Sequence, residues 1–403
     1  MVIAAAVVVA CAASATLGYL ALSSHPGPKS AAGPPVTPAA SPRPSAASRG
    51  PDSPPPSRPG ASGLPGLSLA QMAGQRVIYS YGGLTPPAAL FRLISHGEAA
   101  GVIFFGRNIS SPAQLARVSA ELQQADASPQ NPVRAPLLLM TDQEGGTVRR
   151  MPGAPYLSER QIGESSDPSA AATTAGSSAA ANLRSTGLNV NLAPVLDVFR
   201  QPGDFDDQFG RSYSMDPDVV SLLGSDFITA QQRGGVAATA KHFPGLGAAA
   251  TQQDTDKVPV TLTQPVSVIT GTDELPYKAA IAAGVRLVMV SWAVYPALAS
   301  GRPAGLSSAI VGGQLRQRLG FTGVTITDAL EAGALQSFGR IQNRGLLAAQ
   351  AGMDLLLCSE GSYLEGQQAL AGLENGYRDG QLSRTAFVAS LQRVIALRKS
   401  LSG

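Results

Sequence analysis

The chain is predicted to be an α/β protein whose main domain is a (β/α)8 TIM barrel. Three observations predict it: eight short apolar runs recur along the chain, segments of helical length separate them, and several runs end on a polar or aromatic residue. The runs are RVIYSY from Arg76, GVIFF from Gly101, PLLLMTD from Pro136, VNLAPVLDV from Val190, VAATAKHFP from Val236, RLVMVSW from Arg286, GVTITDAL from Gly323 and MDLLLC from Met353. Each lacks strict polar alternation, as expected of strands buried on both faces of a parallel sheet.

Between them lie helical candidates such as PAQLARVSAELQQAD from Pro112, DVVSLLGSDFITAQQRGG from Asp218 and SSAIVGGQLRQRLG from Ser307. Two of these end in Gly, a common helix stop. A doubly wound open sheet shares this alternation. The barrel is favoured because Asp142, Asp197, Lys241 with His242, Trp292 and Asp328 sit at or just past strand ends, and in a barrel those ends converge on one face.

The domain is expected to occupy residues 67–403, behind two other segments. Residues 1–23 carry no charge, and VIAAAVVVACAASATLGYLAL from Val2 is an apolar run long enough to span a bilayer as a helix. It reads as a signal peptide or membrane anchor, giving an exported, extracytoplasmic protein. Cleavage near Ser23, retention as an anchor and lipidation at Cys11 remain open. Residues 24–66 hold 13 of the 31 prolines among Ser, Ala and Gly, a composition too poor in apolar surface to offset its ordering entropy. They read as a disordered, semi-extended spacer.

Charge narrows the partners. The formal net charge is +3, and Lys29, Arg43, Arg49 and Arg58 against Asp52 place that surplus in the spacer. The barrel region is therefore formally neutral, which excludes the electrostatic footprint of a nucleic-acid binder. With two Cys and three His, no zinc site is expected, and no metal or cofactor is implied. Cys358, ending an apolar run, reads as a buried structural thiol. Nothing in the sequence fixes the oligomeric state.

The runs DQEGGTVRRM from Asp142, APVLDV from Ala193, FGRSYSMDP from Phe209, KHFPGLG from Lys241 and LGFTGVTITDALEAGAL from Leu319 resemble, in order and spacing, the catalytic barrel of glycoside hydrolase family 3. The subgroup they resemble is the single-domain bacterial β-N-acetylhexosaminidases. The resemblance implies a retaining mechanism with Asp328 as nucleophile. That role suits a carboxylate at the end of a buried strand, although an Asp there can also simply cap the next helix. It further implies that Asp142 holds a pair of sugar hydroxyls, and that Arg150, Arg211, Lys241 and His242 complete the subsite through charge-assisted hydrogen bonds. Arg149 competes with Arg150 for its place. Asp197 is either part of the site or a loop cap, and Glu144 with its two following glycines is expected to shape a turn.

The sequence departs from the subgroup at the acid/base. The subgroup uses a His, oriented by an Asp two residues earlier, on the loop after KHFPG. Here the loop reads GLGAAATQQDTDKVP, and an ungapped alignment puts Gln252 at the Asp and Asp254 at the His. The three histidines are His25, His96 and His242, so none can substitute. Asp254 is the candidate acid/base and Asp256 the alternative, given that a neighbouring carboxylate can raise a carboxyl pKa toward neutrality. Both also fit a solvated turn. Leu246 replaces a usual His, and Trp292, the single Trp, stands where a His is common; it is either a stacking platform for a sugar or a core residue.

The resulting expectation is an exported exo-glycosidase that cleaves β-linked N-acetylglucosaminides, from peptidoglycan fragments, through a glycosyl-aspartate. The alternatives are a non-catalytic glycan-binding homologue without acid/base and a β-glucosidase of the same family.

Overall fold

A computed structural model of the chain describes residues 66–401. Eight parallel strands close into a barrel: β1 (Val77–Tyr79), β2 (Gly101–Ile103), β3 (Leu138–Thr141), β4 (Val190–Asn191), β5 (Ala237–Phe243), β6 (Leu287–Val290), β7 (Val324–Ala329) and β8 (Leu355–Leu357). All eight fall inside the predicted runs. The seam pairs β1 with β8, Val77 with Leu356 and Ile78 with Leu357. Residues 1–65 lie outside the described residues, and with them the predicted membrane segment and all of the spacer but Gly66. No helix among the described residues is long and apolar enough to cross a membrane.

The missing alternation has a direct cause. Ile78, Ile103, Leu138, Met140, Val190, Leu287, Met289, Ile326 and Leu355 fill the barrel interior. Their neighbours Val77, Tyr79, Val102, Leu139, Val288 and Leu356 pack outward against the helices. Both periods of each strand are thus apolar.

Helices are set by local chemistry at their ends. Ser111 caps Pro112–Asp126 through the Gln114 amide, and Asp216 caps Pro217–Arg233 with Pro217 in its first turn. The segment from Ser307 departs from a regular α-helix: Ala309–Arg318 is a π-type helix with Gly312 and Gly313 in its middle. The C-terminal helix Arg384–Ser400 spans the lower end of the barrel, where Arg398 pairs with Asp126 at 2.8 Å. Cys358 is fully buried and unpaired, and burial holds its thiol well above the ordinary range.

Candidate active site

The C-terminal ends of the strands open into a cavity of about 310 Å³ lined by Asp142, Glu144, Arg150, Arg211, Lys241, His242, Asp254, Asp256 and Asp328, together with Phe105, Phe205 and Phe209. Of the predicted charged site residues all but Asp197 line it, from the ends of β5 and β7 and from segments that follow β3, β4 and β5.

One half of the cavity is a buried network of opposite charges. Lys241, at the end of β5, places Nζ 2.9 Å from Asp142 Oδ1 and 2.6 Å from Glu144 Oε1. Arg211 grips Glu144 with Nε at 2.8 Å and Nη2 at 3.0 Å, and donates from Nη1 to Asp206 at 2.7 Å. Arg150 is looser, with Nε 3.6 Å from Asp142 Oδ2 and its guanidinium 5.9 Å from the Phe105 ring centre. Burial alone would raise the Glu144 and Asp142 carboxyls; the cations outweigh it and hold Glu144 well below, and Asp142 below, the usual carboxylate range. Lys241 stays charged despite burial because both carboxylates face it.

Glu144 is therefore more than a turn former. It sits in a short hairpin of Gln143–Gly145 and Val148–Arg149, whose reversal uses left-handed Gly145 and Gly146. A Cβ on Gly145 would lie 2.1 Å from the Leu157 carbonyl oxygen. The glycines shape the turn, and the turn aims Glu144 at Lys241.

His242 places Nδ1 2.7 Å from Asp197 Oδ2, so Nδ1–H donates and Nε2 is the unprotonated nitrogen. Burial lowers the imidazole pKa and keeps it neutral. Asp197 also accepts the Leu246 amide at 2.5 Å and the His242 amide at 3.3 Å, so it both caps the loop and orients the imidazole. Burial raises Asp197 to about 6, and Asp206 beside it to about 6.

Asp197, Asp206 and His242 have the mutual spacing of metal ligands. Asp197 Oδ2 is engaged by His242 and Asp206 Oδ1 by Arg211, whose positive charge would confront any cation. The donor set does not fit a metal.

The other half of the cavity is acidic. Asp328 ends β7, and its Oδ1 accepts the Ala329 amide at 2.8 Å. Burial first and the Asp256 charge second raise Asp328 to about 6.

Asp254 and Asp256 differ in kind. Asp254 accepts the Asp256 amide at 3.0 Å and pairs with Lys257 at 3.0 Å, which makes it a loop former with its own counter-ion. Asp256 is exposed to solvent at the cavity rim and has no paired cation; its carboxyl is raised by partial desolvation and by the charges of Asp254 and Glu331. Glu331 is held in place by the Ser359 hydroxyl at 2.6 Å.

Trp292 requires a correction. It is fully buried and outside the cavity: its Nε1 donates to the Ala329 carbonyl at 2.8 Å, and its ring fills the space over Gly305, where a Cβ would come within 2.5 Å. The side chain turns outward from the strand end, which a one-dimensional pattern does not encode. The aromatic faces of the cavity come from Phe105, Phe205 and Phe209, the last two meeting edge to face with centres 5.9 Å apart. The sequence reading missed them, and also Asp206: Phe205, Asp206 and Phe209 lie on a loop away from strand ends, and Phe105, just past β2, is an apolar residue at the end of an apolar run. The one available signal for Asp206 was its place beside a second acid in FDDQFG, directly before Arg211.

Comparison with known proteins agrees with this architecture. Residues 69–397 match the N-terminal domain of glycosyl hydrolase family 3. An uncharacterized secreted glycosyl hydrolase of Arthroderma benhamiae is 47% identical over 338 residues, covering 83% of this chain and 95% of that protein. A β-hexosaminidase of Xanthomonas campestris is 34% identical over 287 residues, 69% of this chain and 83% of its own. Among solved structures, a family 3 β-N-acetylglucosaminidase from Paenibacillus superposes with a TM-score of 0.78 at 35% identity, over 83% of this chain and 63% of that one. The chain thus spans less than two thirds of the Paenibacillus protein. A β-N-acetylhexosaminidase from Beutenbergia cavernae gives 0.73 at 29% identity, over 82% of this chain and 98% of that one.

Proposed function

The chain belongs to glycoside hydrolase family 3, and from that premise we propose that it is a retaining exo-β-N-acetylhexosaminidase that works outside the cell. Its substrates are N-acetylglucosaminides, with peptidoglycan fragments as their source. The observation that carries the reading is the division of one small cavity into a buried, charge-paired anchoring network and a pair of raised carboxyls, Asp328 through burial and the charge of Asp256, and the more exposed Asp256 in part through the charges of Asp254 and Glu331.

In this proposal the terminal sugar enters a space of about one residue. Asp142, Lys241, Arg150 and Arg211 hold its hydroxyls through charge-assisted hydrogen bonds, and the Nε2 of His242 accepts another. These groups are pre-set by their mutual ion pairs, so little ordering is left to the binding step. Asp328, ionised, attacks the anomeric carbon. The carboxyl of Asp256, protonated, delivers its proton to the departing oxygen and later withdraws one from the water that releases the sugar from Asp328. Asp256 takes the acid/base role ahead of Asp254, whose carboxylate is tied to Lys257 and to the amide of Asp256. The apolar run at residues 1–23 supports an export or tethering step.

The test is a series of aryl N-acetyl-β-glucosaminides of graded leaving-group quality. Asp328→Asn should abolish turnover of all. Asp256→Asn should abolish turnover of poor leaving groups, retain the burst with good ones, and be rescued by azide with formation of the β-glycosyl azide. Azide rescue of Asp254→Asn with none for Asp256→Asn would reverse the assignment. A second reading, a glycan binder without catalysis, is favoured by the lack of a His on the acid/base loop; it predicts saturable N-acetylglucosamine binding with no burst.

A further inference from the structure

At the end of the barrel opposite the active site, a cavity of about 480 Å³ is lined by Arg76, Arg316 and Arg393, with Gln350, Gln381, Ser383, Ser390 and the Phe387 ring, and no acidic residue is among its lining. Two of the guanidiniums, Arg316 and Arg393, converge on one carboxylate behind the wall, the fully buried Asp354. Arg316 Nη2 reaches its Oδ2 at 2.6 Å, and Arg393 Nη2 reaches its Oδ1 at 2.7 Å. Oδ2 also accepts the Thr325 amide at 2.9 Å. Arg76 does not touch that carboxylate. It is 1% exposed, donates to the carbonyls of Asp354 at 3.1 Å and Met353 at 2.5 Å, and stacks 4.7 Å over Phe387. Three positive charges thus face one negative charge.

A second feature adds to the excess. The 17-residue helix Arg384–Ser400 begins at this cavity: its cap Ser383, then Ala386, Phe387, Ala389, Ser390 and Arg393 all form the wall. Its first turn carries no acidic residue, so the positive end of the helix is unneutralised as well. Elsewhere in the protein buried guanidiniums are matched: Arg211 meets Glu144 and Asp206, and Arg398 meets Asp126. Here burial lowers Arg76 to about 10, more than Asp354 offsets.

We propose that this cavity is an anion site that takes a phosphate group, held by the arginine cluster and the start of the C-terminal helix. A dianion matches the charge excess of two. Planar guanidiniums suit the oxygens of a tetrahedral oxyanion, and the two serines and two glutamines supply neutral donors around them. A phosphate bound here would bridge the element before β1 (Arg76), the helix before β7 (Arg316) and the last helix (Arg393), and so fasten the barrel's closing seam from below.

The test uses the full chain, calorimetric titration with inorganic phosphate at fixed ionic strength, and chloride as control. One saturable site is expected, with a melting temperature that rises with phosphate and not with chloride. Saturating N-acetylglucosamine should leave the phosphate affinity unchanged, because the two cavities lie at opposite ends of the barrel. Ala386→Glu places a carboxylate in the wall at the third helical position after Ser383, completing a capping box that favours the helix, so the fold is retained. It should weaken phosphate binding by about tenfold or more, as should Arg393→Gln, while aryl glycosidase activity stays unchanged. Glycerol phosphate in place of inorganic phosphate distinguishes an ester-borne group from the free ion by which binds more tightly. No saturable phosphate binding above the chloride control, binding displaced by N-acetylglucosamine, or wild-type affinity in Ala386→Glu would each overturn the proposal.

Discussion

The amide of Gly333 donates to the carbonyl of Asp256 at 2.7 Å, and beside it the Ala334 amide donates to Thr255 at 3.0 Å. The loop carrying the proposed acid/base is therefore fastened to the turn that follows the proposed nucleophile, five residues after Asp328. The fit is tight: a Cβ on Gly333 would stand 2.1 Å from the Lys257 carbonyl oxygen. Gly333→Val should push the loop off this edge. Turnover of poor leaving groups is expected to fall by about a hundredfold, the loss typical of a catalytic group misplaced by an ångström. The burst with activated aryl glycosides should survive, because Asp328 itself is not moved. Single-turnover and steady-state rates on both substrate types measure the split.

Acid dependence follows from the raised carboxyls. Asp328 must be ionised to attack, so kcat/KM should rise with pH through about 6. It should fall again at higher pH as Asp256, which must be protonated, loses its proton. Asp256→Asn lacks the group that must be protonated, so its profile should keep the rise and lose the fall. The pH profile for an aryl glycoside turned over by both enzymes reads this directly, and a fall that persists in the variant would show that Asp256 is not the acid.

Lys241 neutralises two buried carboxylates, and its removal leaves both without their shared cation. Lys241→Met is expected to cost about 3–5 kcal/mol of stability, the usual loss on breaking a buried ion pair from one side. Adding Asp142→Asn should recover part of it, since Asp142 then keeps only the looser Arg150 while Glu144 is still gripped by Arg211. Urea denaturation of the single and double variants tests both statements.

Aromatic roles separate in the same way. Trp292→Phe deletes the hydrogen bond to Ala329 and should lower stability by about 1 kcal/mol with KM for the glycoside unchanged. Phe209→Ala should raise KM while leaving unfolding nearly as before, since Phe209 is 46% exposed at the cavity mouth.

The barrel was legible in the sequence because its strands announce themselves as apolar runs, and all eight observed strands lie inside them. The charged residues at strand ends were legible for the same reason: a residue at the end of a barrel strand can only lie on the rim. What escaped depended on direction or on loop geometry. Trp292 sits at a strand end, yet its ring turns outward to Gly305. Glu144 was hidden by the two glycines that turn it toward Lys241. Asp254 and Asp256 are two residues apart on one loop, and only the docking of that loop on Gly333 and the Lys257 ion pair separates a turn former from a cavity-facing acid.

The pairing of Val77 with Leu356 joins the first strand of the barrel to the last, residues far apart in sequence. Until the last strand is present, β1 and β7 each expose an unpaired row of amides and carbonyls, the kind of edge that recruits other chains. Protein truncated before Leu355 should therefore collect as aggregate instead of persisting as a smaller, partly working sheet. A nascent chain has no shelter for those edges before its final fifty residues or so emerge, and contacts of such long sequence separation make closure slow. The vulnerable period in the life of this protein is thus its synthesis, when chaperone capacity governs how much of it reaches a closed ring.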